Sequence, residues 1–91
     1  MQHNNSKKAK IIIETLAKVI KEKREKLKLS QRLFAYEYDI QKSLISRLEN
    51  GVNEPKLISI WTVCEAMNIT VSQLMKEVEQ KLPQKINLID K

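Results

Sequence analysis

The segment SQRLFAYEYDIQKSLISRLENG, residues 30–51, limits the fold more than any other part of the chain. Its apolar residues recur at helical spacing twice, and the period restarts in a new phase after Asp39. Two short helices joined by a tight turn are predicted. Such a pair can simply pack together, or it can be held at an angle that presents the second helix to a nucleic-acid groove. Asp39 suits the turn, because aspartate is among the few non-glycine residues that tolerate the left-handed conformation.

The rest of the chain reads as all-α. Proline and glycine occur only as Pro55, Pro83 and Gly51, and no sustained period-2 run marks a strand. A long first helix is predicted over about residues 8–27, with Ile12, Ile13, Leu16, Val19, Ile20 and Leu27 at 3.6-residue spacing. Lys21, Glu22, Lys23 and Glu25 give it a wet face. Ser30 is a good N-cap for a second helix over residues 31–37, with Phe34 and Tyr38 inward and Ala35 small. A third helix over residues 42–48 buries Ile45 and Leu48, and Asn50 or Gly51 caps its end. A fourth, over residues 57–67, carries Leu57, Ile60, Val63, Cys64 and Met67 on one face and ends at Asn68. Thr70 and Gln73 then form a capping box, and Ile69 with Leu74 a hydrophobic staple, at the start of a fifth helix that runs to about residue 81. Pro83 stops it. The expected layout is a polar tail over residues 1–7, a five-helix domain over residues 8–82, and a C-terminal tail over residues 83–91. That tail holds Ile86, Leu88 and Ile89, which lie either over the domain or over a partner.

Ninety-one residues accommodate one core, and 42% hydrophobic residues suffice to build it. Seventeen basic against eleven acidic residues give a net charge of +6, which favours a polyanionic partner. Nucleic acid ranks first, an acidic membrane surface second and an acidic protein third. Four aromatic residues are few for a single-strand binder, which needs stacking platforms. The longest apolar run is residues 11–13, too short to span a membrane, and no signal peptide is apparent, so a cytoplasmic location is expected. One cysteine, Cys64, and one histidine, His3, support neither a disulfide framework nor a metal site. Cys64 reads as core filler and His3 as a solvated tail residue. No nucleophile, base and orienting group stand out, so no enzyme, catalytic residue or cofactor is expected.

Three local needs of a helix-turn-helix are met in order within residues 30–51. Ala35 permits a close crossing, Asp39 makes the turn, and Ile40, Ile45 and Leu48 dock the third helix on the second. The outward face of that third helix is then Gln41, Lys42, Ser43, Ser46 and Arg47. These side chains can pair with base edges and phosphates, arginine most typically with guanine and glutamine with adenine.

These residues, followed by EPKLISIWTVCEAMNITVSQLM, resemble the lambda-repressor-like (Cro/C1, XRE) family of helix-turn-helix regulators, in one ungapped register over residues 16–75. The resemblance implies a five-helix DNA-binding domain acting on double-stranded DNA. It implies base contacts from Lys42, Ser43 and Arg47, flanked by Gln41 and Ser46. Phosphate contacts fall to Gln31, Asn50, Asn53 and Lys56, with Gln31 also bracing the third helix. Arg24 and Glu49 match a salt bridge that ties the first helix to the end of the third. Departures from the family pattern are Asp39 and Asn68 in place of turn glycines, Gln41 in place of a capping Ser or Thr, and Lys56 in place of a capping serine. Gln41 is a poor cap, so the third helix begins either there or one residue later. Leu33 and Leu44 replace polar residues. Leu33 is expected under the first helix, and Leu44 either meets a thymine methyl or makes the turn more apolar.

Members of the family usually dimerise on half-sites one helical turn apart. A homodimer is therefore expected, with an interface on the stripe Val71, Leu74, Met75, Val78 and Leu82. The implied function is a sequence-specific transcription regulator, a repressor or autoregulator, reading a palindromic operator. The layout also accommodates a partner protein, such as a toxin or another regulator. A protein-interaction adaptor or antitoxin-type module on the same fold is the alternative.

Overall fold

The computed structural model describes residues 6–89. It contains five helices, α1 Ser6–Lys26, α2 Gln31–Tyr38, α3 Lys42–Asn50, α4 Leu57–Ala66 and α5 Val71–Lys81. Residues 1–5, with the expected tail residue His3, lie outside the described residues. Among the described residues, no helix is long and apolar enough to cross a membrane.

Helix α1 packs on α3 and α5, and α3 in turn packs on α2 and α4. Helix α3 is thereby held on three sides and leaves one face open. The core gathers one stripe from each helix: Val19 and Ile20, Phe34, Ile45, Val63 and Cys64, Leu74 and Val78, all nearly inaccessible. Burying the Cys64 thiol in this apolar setting pushes its pKa up, so it stays protonated as a small hydrophobe.

Helix ends follow local chemistry closely. The Ser30 hydroxyl accepts from the Leu33 backbone N–H at 3.1 Å and caps α2. At α5 both halves of the Thr70–Gln73 capping box form, with Gln73 N–H to Thr70 Oγ1 at 3.0 Å and Thr70 N–H to Gln73 Oε1 at 2.9 Å. Asp39 and Asn68 both adopt the left-handed conformation, with φ of 55° and 60°. Each closes its helix with a paired carbonyl arrangement: Asp39 N–H to Tyr36 O and Ile40 N–H to Ala35 O, then Asn68 N–H to Glu65 O and Ile69 N–H to Cys64 O. In each case the next residue, Ile40 or Ile69, packs against the core, which is the apolar contact this motif requires. Lys28 also takes positive φ, 64°, between α1 and α2, a role its side chain did not announce.

Several expectations need correction. Tyr38 is 40% exposed and meets Phe34 in a tilted ring contact, with centroids 5.0 Å apart. Leu57, the first residue of α4, is exposed and not part of the buried face. Leu33 stands nearly half exposed, outside the core cluster rather than beneath α1. Leu74 and Val78, expected at a dimer interface, lie inside the protomer's own core and offer a partner nothing. Helix α1 begins at Ser6 and so includes two residues, Ser6 and Lys7, of the expected tail. The C-terminal tail folds back over α1, where Lys8 Nζ donates to Asn87 O at 3.1 Å and Ile86 is half-buried.

Candidate nucleic-acid interface

The site is built on the α2–α3 corner. The left-handed turn at Asp39 reverses the chain within two residues, and Ala35, 7% exposed, lets α3 approach α2 closely. Helix α3 starts at Lys42 with Gln41 as an N-cap that makes no side-chain hydrogen bond. With Ile45 and Leu48 turned into the core, Gln41, Lys42, Ser43 and Arg47 are exposed on one face and Ser46 is half-buried. Leu44 is half-buried, with one side packed against the core. Its other side lines a cleft of about 260 Å³ with Arg47, Asn53, Glu54, Pro55, Lys56 and Ser59.

Glu49 is the acidic residue of α3, and its carboxylate is turned away from the open face. Arg24 Nε donates to Glu49 Oε2 at 2.7 Å and Arg24 Nη2 to Oε1 at 2.9 Å. Gln31 Nε2 donates to the same Oε1 at 3.0 Å, and Arg24 Nη1 donates to Leu29 O. Side-chain exposures of 8% and 2% make this a buried pair. The hydrogen bond from Glu49 raises the Arg24 pKa above its ordinary value against the opposing effect of burial. A carboxylate with both oxygens occupied presents little negative potential to an approaching phosphate. The network joins α1, the α1–α2 connection, α2 and α3, so it also sets the pitch of α3. Gln31 thus braces α3 directly, with one amide hydrogen committed to Glu49.

The α3–α4 connection supplies the second part of the surface. Gly51, at φ 65°, lies against α1, and a Cβ there would stand 3.3 Å from Ala17 Cβ. Asn50 and Asn53 are exposed along this loop and Lys56 is the N-cap of α4. Because Lys56 makes no side-chain cap, the first N–H groups of α4 are free to meet an anion. Two neighbours escaped the sequence reading. Glu54 enters the Arg47–Lys56 cleft, and Lys10 of α1 borders Asn50 and Val52. Glu54 belongs to the loop itself, whereas Lys10 is about forty residues away in sequence and only the chain's folding brings it there.

A left-handed turn between two packed helices, with a cationic and polar outer face on the second, defines a helix-turn-helix DNA-binding domain. The comparisons agree with it. Residues 20–74, more than half of the chain, match the family described as Helix-turn-helix. The chain is also 31% identical over 64 residues to the control protein C.MunI of Mycoplasma sp, covering 70% of this chain and 86% of that protein. No solved structure matches. The chain belongs to the lambda-repressor-like (Cro/C1, XRE) helix-turn-helix family of DNA-binding transcription regulators.

Proposed function

We propose that this protein is a homodimeric control regulator, a repressor or autoregulator, that reads a pseudo-palindromic operator with one α3 helix in each major-groove half-site. The carrying observation is the open face of α3, where Lys42, Ser43 and Arg47 are exposed while the helix's acidic residue is held by Arg24 and Gln31. Lys42, Ser43 and Arg47 take the base edges, with Gln41, Ser46 and the outer side of Leu44 beside them. Arg47 has the bidentate geometry that suits guanine. Asn50, Asn53 and Lys56 hold phosphates on one flank, and the free amide hydrogen of Gln31 holds one on the other. Restriction-modification controllers, small phage repressors and antitoxins share this size and layout. Similarity to a protein named a control protein supports the first of them.

Selection of bound duplexes from a random library tests this reading. A palindromic consensus with half-site centres about 34 Å apart supports it. If no consensus emerges at physiological salt, the regulator reading fails and a protein-binding role for the same surface takes its place.

A further inference from the structure

Helix α4 is apolar on two faces. Ile60, Val63, Cys64 and Met67 enter the core, while Leu57, Ile58 and Trp61 stand 60%, 72% and 50% exposed on a second face. Next to Trp61, Thr62 Oγ1 donates back to Ile58 O at 2.8 Å, while Ser59 lines the cleft beside Arg47 and Lys56. Glu65 is the one charged residue in the sequence LISIWTVCEA. A helix apolar on more than one side is ordinarily buried on more than one side. Here the second face is left at least half exposed by the described residues of its own chain.

We propose that this outer face of α4, formed by Leu57, Ile58 and Trp61, is the surface on which a second copy of the chain docks, in place of the α5 stripe. The proposal rests on the homodimer reading above and gives it a location. Charge selects the occupant. Two copies that each carry +6 repel wherever their lysine-rich surfaces meet, and α4 has no lysine or arginine at all. An acidic partner would be drawn to the lysines instead of to this neutral window. Area is consistent with self-association: three large side chains supply roughly half of the about 800 Å² per partner that a standard interface buries, and their neighbours supply the rest. Tryptophan is also a frequent energetic anchor at the centre of an interface. Position fits as well, because α4 follows directly on the Asn53–Lys56 loop. A two-fold contact through α4 keeps the interface next to the element that packs on α3.

In a two-fold contact each residue near the axis meets its own copy, so one substitution places two like charges face to face. Ile58→Lys alters a mostly exposed side chain and leaves the core intact, which far-ultraviolet circular dichroism and thermal melting will verify. Sedimentation of the protein alone at micromolar concentration, with no DNA present, is the test. The wild type should sediment as a dimer. Ile58→Lys should weaken association more than about thirtyfold, the range of an interface hot spot. Met75→Lys on α5 should remain a dimer. Trp61 is the single tryptophan, so its emission should shift to the red as the wild-type dimer is diluted to monomer. An Ile58→Lys protein that associates like wild type, or loss of association in Met75→Lys alone, overturns the α4 interface while leaving the homodimer reading standing. A monomeric wild type overturns both, and duplex selection still reports independently on DNA binding.

Discussion

The Arg24 guanidinium grips the Glu49 carboxylate through two parallel hydrogen bonds of 2.7 and 2.9 Å, with both side chains almost inaccessible to water. A buried pair of this kind gains little net stability relative to apolar replacements, yet removing one partner strands the other charge. Glu49→Gln is expected to lower unfolding free energy by about 3 kcal/mol, whereas Arg24→Met with Glu49→Leu together should cost less than the two singles summed. Urea denaturation of the four proteins closes the cycle. Strict additivity would show that the two side chains do not act as a pair.

The left-handed positions make a second prediction. Asp39→Gly and Asn68→Gly remove the Cβ penalty at φ 55° and 60° and should be neutral or stabilising by up to about 1 kcal/mol. Gly51→Ala has the opposite sign, since it meets both the penalty at φ 65° and Ala17 Cβ at 3.3 Å. It should destabilise by more than about 1 kcal/mol. Melting temperatures of the three variants decide the matter, and a stabilised Gly51→Ala would contradict the geometry.

At Lys56, stability and binding should move apart. Lys56→Ser supplies the side-chain cap that α4 lacks and should stabilise the fold by about 1 kcal/mol. It also removes a phosphate contact, so affinity should fall uniformly across sequences and the salt slope should decrease by about one. Arg47→Ala should instead relax the consensus at one position per half-site. Titrations at several salt concentrations, on operator and scrambled duplexes, separate the two behaviours.

Between α1 and α5, Glu77 bonds Lys23 at 2.7 Å and Lys81 at 3.3 Å. The bond from Lys23, followed by that from Lys81, holds the Glu77 pKa below its ordinary value. A depressed carboxylate contributes stability that is complete above the ordinary carboxylate range and is lost as pH falls through the folded-state pKa. Glu77→Gln should therefore destabilise by under about 1 kcal/mol near neutrality and flatten the acid limb of the stability profile. Equal slopes for variant and wild type would remove Glu77 from the acid response.

Much of the domain was legible in the chain because its signals are short-range. Ser30, Asp39, Thr70 and Gln73 each act within three residues of themselves, so their caps and turns form as their types demand. The open face of α3 was legible for the same reason: once Ile45 and Leu48 point inward, helical geometry directs Lys42, Ser43 and Arg47 outward. Part of the α5 stripe has to close the domain's own core, and a lone amphipathic stripe does not say that Leu74 and Val78 are that part. Tyr38 and Leu57 were placed inside on the same incomplete ground.

Sequence alone therefore determined the five helices, the caps at Ser30, Asp39, Asn68 and Thr70, and the family to which their order belongs, since the caps rest on contacts about one helical turn apart. Tertiary structure decided which apolar faces close on the core and which stay open. It sank Leu74 and Val78 between α1 and α4, and left Leu57, Ile58 and Trp61 bare. It also folded the Glu49 carboxylate onto Arg24, 25 residues away along the chain. Burial depends on segments distant in sequence, and no local period encodes where they will meet.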